Sequence, residues 1–269
     1  MEIKKVIMVY FSPAGTTKKA VSVFAQGMGL PVETVNLTLP KKRNGFRRSF
    51  NEDELLIASL PVYGGRLPMY LDDFFNGLKG NGSPAIATVT YGNREYEDAL
   101  IELKMRLEER GFSVKAAASF IGQHNFSPKV ATGRPDAGDI AKITSFGKLA
   151  AQSIARGTSG KLSFKGTYPF TAVGYDPAKP GPYPTRPLIL TSDECNICGL
   201  CADVCPWGAI DKNDTTAINN ATCFRCFQCV NTCPIQAKKV TDVNWLAFLP
   251  VFEARLNEKR KEPELFIPV

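Results

Sequence analysis

Eight cysteines fall between residues 195 and 233 of this 269-residue chain, and the first 194 residues contain none. They form two runs of one spacing, CNICGLCADVCP from Cys195 and CFRCFQCVNTCP from Cys223. Each run has three cysteines at two-residue gaps, a fourth after three more residues, and then a proline. An even count permits disulfides. However, the opening MEIKKVIMVYF lacks an apolar stretch with a small-residue cleavage site, and a reducing cytosol favours metal ligation by thiolates. The expected location is cytoplasmic. Paired CxxC units also build tetrahedral zinc sites, so zinc is the rival metal. Three thiolates from one tight loop suit three corners of an iron-sulfur cube, with the fourth ligand arriving from elsewhere.

The fourth cysteine of each run is therefore assigned to the other centre. Cys195, Cys198, Cys201 and Cys233 would hold one 4Fe-4S cluster, and Cys223, Cys226, Cys229 and Cys205 a second. Pro206 and Pro234 follow the two distant cysteines, where a fixed φ and a missing N–H help the chain turn back. With all eight ligands and both prolines in place, residues 188–242 resemble the bacterial two-cluster 4Fe-4S ferredoxins.

That unit covers about a fifth of the chain, and other elements must position it. KKVIMVYFSPAGTTKKAVSVFAQGM reads as a β-rich run, a small hydroxyl-rich turn and a helix with apolar spacing through Ala20, Val23 and Phe24. Backbone N–H groups and the positive end of a helix dipole make such a turn an anion site. Neither GxxxxGK[ST] nor GxGxxG occurs, so a nucleoside triphosphate or NAD is not the expected ligand. Strand-like runs at 31–37, 53–63, 84–92 and 113–122 alternate with helical patterns at 68–78, 95–110 and 136–156. This order predicts an α/β domain with a doubly wound parallel sheet, whose ligand sits beyond the carboxyl ends of the strands. Three such ends, SPAGTT, PVYGGRLP and TYGNREY, are expected to converge on one ligand.

These loops resemble those of the flavodoxins, and the combination resembles the flavodoxin-ferredoxin fusion proteins of anaerobic metabolism. The resemblance implies a flavodoxin-like five-stranded sheet, a smaller α+β ferredoxin domain, and FMN as cofactor. It places the FMN phosphate on Ser12, Thr16, Thr17 and the backbone of residues 13–17, including Ala14 and Gly15. Flavodoxins usually carry a second hydroxyl residue where Ala14 stands. The second loop, Pro61, Val62, Tyr63, Gly64 and Gly65, would cover one flavin face, its paired glycines letting a peptide reorient near N5; an ordinary glycine turn is the plain alternative. Tyr63 and Arg66 would either meet the ring or a partner, or pack on the surface. The third loop, Thr90, Tyr91, Gly92, Asn93 and Tyr96, would run under the pyrimidine edge, with Asn93 hydrogen-bonding and Tyr91 or Tyr96 as a second aromatic wall. Those two tyrosines read equally as core anchors. His124, the sole histidine, would either touch the flavin and relay a proton or serve the structure.

The expected organisation is a flavin domain over 1–156, a Pro-rich linker over 157–187, the ferredoxin domain over 188–242 and a tail over 243–269 that packs on a domain or the junction. Five prolines between 174 and 187 favour a stiff, extended connection. Hydrophobic residues make up 44% of the chain, enough for a real core, and no apolar run is long enough to span a bilayer. The net charge is +7 and uneven: residues 1–187 hold 25 Lys+Arg against 16 Asp+Glu, residues 188–242 hold 4 against 6. The basic stretch 41–48, KKRNGFRR, would steer an acidic redox partner or lie solvated, and no nucleic-acid motif accompanies it. The expected role is electron transfer between the two clusters and FMN and onward to partner proteins. The alternatives are a ferredoxin-fed, FMN-dependent reductase of an organic substrate, and a ferredoxin with an FMN-free docking domain.

Overall fold

The structure is a computed structural model that describes residues 2–69, 71–172 and 188–268. The elements run β1 (Lys5–Tyr10), α1 (Thr16–Gly27), β2 (Val32–Asn36), α2 (Pro40–Arg43), β3 (Arg48–Ser49), β4 (Glu54–Pro61), α3 (Asp72–Asn76), β5 (Leu78–Lys79) and β6 (Pro84–Tyr91). They continue with α4 (Ala99–Glu108), β7 (Ser113–Ile121), α5 (Ala137–Ala155), β8 (Ile189–Thr191), α6 (Leu200–Asp203), α7 (Gln228–Thr232), β9 (Lys238–Val240), α8 (Val243–Asn257) and β10 (Glu264–Phe266). The main sheet has the order β10-β7-β6-β4-β1-β2. Its five strands from β2 to β7 are parallel, in the order 2-1-3-4-5 of a flavodoxin-like doubly wound sheet.

Alternation along the strands fills both faces of this sheet. Ile7, Val9, Leu56 and Ala58 point to one core with α3 and α4, while Val6, Met8, Leu55 and Ile57 point to the other with α1 and α5. Gly27 and Gly147 let α1 and α5 touch backbone to backbone; a Cβ at Gly147 would sit 2.2 Å from the Phe24 carbonyl oxygen. The Asp136 carboxylate starts α5 by accepting from Asp139 N, a reciprocal cap.

A sixth strand joins the five expected parallel ones. β10 pairs antiparallel with β7, so the tail completes the edge of the sheet after α8 has crossed the junction. The expected linker is corrected in its first half. Leu162 is buried in the main core, Phe164 packs on Phe266 at 5.4 Å, and the Asp98 carboxylate accepts from the amides of Thr167, Thr171 and Ala172. The proline-rich stretch 174–187 lies outside the described residues.

In the smaller unit β8 and β9 pair antiparallel, and α6 and α7 each carry cysteines. Its two halves repeat a backbone path. Left-handed φ recurs at Ile197 and Arg225 (54° and 51°), at Gly199 and Phe227 (80° and 61°), and at Gly208 and Gln236 (65° and 54°). No helix among the described residues is long and apolar enough to cross a membrane.

Candidate cofactor-binding sites

The three loops meet at a cavity of about 620 Å³ beyond the carboxyl ends of the parallel strands. Ala14, Thr16 and Thr17 reach it from the start of α1, Pro61 to Gly65 from the end of β4, and Thr90, Tyr91 and Gly92 from the end of β6. Gly64 and Gly65 both have positive φ, 59° and 83°, and Tyr63 and Arg66 exchange backbone hydrogen bonds at 2.9 and 3.1 Å. That is a two-residue turn with the mirror-image geometry that glycine takes without strain. The Gly65 carbonyl accepts from Asp98 N at 2.9 Å, and a Cβ at Gly65 would meet the Glu97 carboxylate at 1.8 Å. Thr90 Oγ1 is buried in this wall with no hydrogen-bond partner.

Several expected contacts lie elsewhere. Ser12 Oγ accepts from Lys18 N at 3.0 Å and caps the first turn of α1, and neither Ser12 nor Gly15 lines the cavity. Asn93 is turned away: its amide donates to the carbonyls of Leu256 and Lys259 at 2.6 and 2.9 Å and its oxygen accepts from Lys261 N at 2.9 Å, fastening the tail. Tyr96 is fully buried beneath Tyr91, edge-on at 5.8 Å, a core anchor and no part of the cavity wall. Arg66 pairs with Glu102 at 2.7 Å and covers the Phe170 ring at 3.9 Å. The basic stretch 41–48 is not a uniform solvent patch. Arg43 is buried, donates to Leu37, Thr38 and Pro206 carbonyls at 3.0–3.1 Å and lies over the Phe11 and Trp207 rings. Arg48 pairs with Glu33 and Glu54.

Three further walls lie outside the three loops, and of their residues only His124 was expected near the ligand. The end of β7 supplies Gly122 to Phe126; the segment fastened by Asp98 supplies Thr171 and Ala172; and α8 roofs the cavity with Phe248, Val251, Phe252, Arg255 and Leu256. The rule that ligands lie at strand carboxyl ends pointed to the β7 end, since GQHNF follows a strand-like run. Gly92 and Gly122 let these walls close in, for a Cβ on Gly92 would strike the His124 ring at 2.3 Å. His124 Nδ1 accepts from Phe126 N at 3.1 Å, so the neutral ring carries its proton on Nε2. Burial, and then the Arg94 charge, pull its pKa down to about 4. The shift favours the neutral ring at pH 7.

The eight cysteines separate into two sets. Cys195, Cys198, Cys201 and Cys233 line one small cavity, and Cys205, Cys223, Cys226 and Cys229 line another. Each fourth member thus comes from the other run. Among the described residues no three His, Cys, Asp or Glu groups close on one point as for a single ion. Burial pushes the Cys226 thiol up, and the Cys229 thiol to about 12. Buried Lys238 lines the first of these cavities. Its Nζ donates to Thr191 Oγ1 and the Thr215 carbonyl, and its charge favours the thiolates of both Cys201 and Cys229.

Phe224, the residue after Cys223, lines both the second cysteine cavity and the three-loop cavity. It meets Tyr63 edge-on at 5.1 Å and Trp207 at 4.8 Å. A second crossing runs through the β7 end, where Asn125 lines the large cavity and its side-chain amide donates to the Cys226 carbonyl. Beside it, Phe126 packs on Phe227 at 4.9 Å.

Residues 187–242 match the family described as a 4Fe-4S dicluster domain. Over 73 residues the chain is 36% identical to the pyruvate synthase subunit PorD of Methanocaldococcus jannaschii, covering 24% of this chain and 85% of that protein. Among solved structures it is similar to a flavodoxin from the domain Archaea (15% identity, 56% of this chain and 99% of that one, TM-score 0.40). It is also similar to oxidised Flavodoxin 1 from Bacillus cereus (18% identity, 55% and 97%, TM-score 0.41).

Proposed function

The chain belongs to the 4Fe-4S dicluster proteins through residues 187–242, and on that premise we propose that it is an electron-transfer flavo-iron-sulfur protein, with two 4Fe-4S clusters on its eight cysteines and FMN in the three-loop cavity. The observation that carries this reading is Phe224, which walls both the large cavity and the second cysteine cavity. A cofactor in each would be separated by little more than one aromatic side chain.

The residues fit the groups. Each cysteine cavity offers four thiols, the donor set of a cubane cluster, and the buried cation Lys238 lines the first and favours the Cys229 thiolate of the second. The large cavity has the start of α1 for an anionic group, aromatic walls at Tyr63 and Tyr91, and the orphaned Thr90 Oγ1 as a polar contact. A flavin bound there would exchange one or two electrons, whereas clusters pass them singly, so the chain would convert between the two regimes. The protein's own contribution is placement. Arg43 ties the Pro206 carbonyl to the flavodoxin-like domain, Asn125 ties the Cys226 carbonyl to the cavity wall, and α8 covers the cavity from water.

Anaerobically purified protein is expected to contain about eight irons, eight acid-labile sulfides and one FMN. NADPH alone is expected to reduce it poorly, because no dinucleotide fingerprint is present. Stoichiometric zinc without broad visible absorption would overturn the cluster assignment. Turnover of a purified organic compound without any partner protein would favour the reductase reading.

A further inference from the structure

The first cysteine set faces outward, and an unusual residue marks its rim. Ile197, between Cys195 and Cys198, has a left-handed φ of 54° and is 58% exposed. A β-branched side chain is a true outlier in that conformation, and an exposed isoleucine gains nothing from burial to offset the strain. The loop itself demands the conformation, since Arg225 occupies the equivalent place in the second run with φ 51°. There, however, the residue is unbranched at Cβ. Folding alone therefore accounts for the backbone at 197 and not for the isoleucine.

Ile197 has apolar company. Leu200 is 42% exposed and Ile235 is 40% exposed, and both line the cavity of Cys195, Cys198, Cys201 and Cys233. Cys198 is itself exposed, whereas Cys226, its counterpart in the second run, is buried. The unit that carries this patch is net acidic, with six Asp and Glu against four Lys and Arg over residues 188–242. Glu194 and Asp203 are paired with Lys239 and Lys212, Lys238 is buried and Arg225 belongs to the second loop, so the surplus charge lies on carboxylates such as Asp193, exposed beside Cys195, and the exposed Asp211 and Asp214.

We infer that this face is the docking port for a redox protein whose contact surface is apolar at its centre and basic at its rim, and that electrons enter or leave the chain there. The inference rests on the electron-transfer reading above. Apolar contact at the centre would supply affinity, and complementary charge would steer the encounter. The second cysteine set cannot serve, because the flavodoxin-like domain covers it.

Cytochrome c, a basic haem protein, is a suitable probe, each encounter moving one electron from the reduced chain to ferric haem. Ile197→Asn suits the left-handed backbone and should keep the clusters and match or exceed the parent's thermal stability. It should nevertheless lower the second-order rate of cytochrome c reduction about tenfold at low salt, and the double variant with Leu200→Asn more. Binding of redox-inert zinc cytochrome c should weaken about equally. Leu246→Asn, on the 50% exposed outer face of α8, should leave both within about twofold. Unchanged rate and binding in the Ile197 and Leu200 variants, or a loss only in the Leu246 variant, would overturn the port. The inert probe reads this face alone, whereas iron content and internal flavin reduction read the function, so the two can fail separately.

Discussion

The two cysteine loops share a spacing and a backbone path and differ in what surrounds them. Around the first set, Cys198 is exposed and Ile197, Leu200 and Ile235 stand in solvent. Around the second, Cys226 and Cys229 are buried, and Trp207, Phe224 and Phe227 pack against Phe11, Tyr63 and Phe126 of the other domain. A duplicated cysteine set has thus been given two environments by the residues between the cysteines. Where the first loop has Asn196, Ile197 and Gly199, the second has Phe224, Arg225 and Phe227. The covered loop faces the three-loop cavity and the open one faces outward, which orders the proposed centres from the surface to the flavin.

The strongest way to break the comparison is to remove one set. Cys205→Ala lies in the first run but lines the second cavity. It should abolish the second centre, cut iron from about eight to about four per chain, and stop internal flavin reduction, with the first centre's paramagnetic resonance signal retained. Loss of the first signal alone would reverse the assignment. Next in size is the junction. Arg43→Met should leave three carbonyls without their charged donor and cost about 2–4 kcal/mol in denaturant unfolding, together with slower internal electron transfer. An unchanged midpoint would show that the interdomain contact does not depend on Arg43.

His124 sharpens the contrast through pH. Its pKa is about 4 in the folded protein against 6.5 when unfolded, so the unfolded chain binds the extra proton first. Stability is expected to hold above about pH 6.5 and to fall as pH drops from 6.5 toward 4, by up to about 2–3 kcal/mol for this partly accessible ring. His124→Gln should flatten that stretch of the stability profile. The smallest effect is that of Lys238, which serves both sets. Lys238→Met should lower both cluster potentials, by amounts on the order of tens of millivolts, and a shift confined to one centre would show that the two environments differ more deeply than the shared cation implies.

Much of this was legible in the sequence. The cysteine spacing carried the grouping of the thiols around two small cavities, because three of each four come from one short loop. The alternation of strands and helices carried the parallel sheet, because each element signals its own period. Asn93 and Tyr96 were misplaced for the opposite reason. The partners of Asn93 are backbone groups more than 160 residues later, and the burial of Tyr96 is decided by the whole core. β10 is three residues long and extends a sheet begun far upstream, so no pattern within 264–266 announces it. Arg43 looked like one charge in a basic run. Its burial depends on Phe11 and Trp207 meeting across the junction. The tail also ties the two ends of the chain together, since residues 188–269 include the strand that edges the flavodoxin-like sheet.

The proposed passage of electrons between the second centre and the flavin inside one chain can be followed by reducing the anaerobic protein with a limiting low-potential donor in a stopped-flow instrument and recording flavin reduction after cluster reduction as protein concentration is varied tenfold. A first-order rate independent of concentration is expected, slowed in Phe224→Ala while iron and flavin contents stay at parent levels. A rate that rises in proportion to concentration, or one indifferent to Phe224→Ala and Asn125→Ala together, would contradict it.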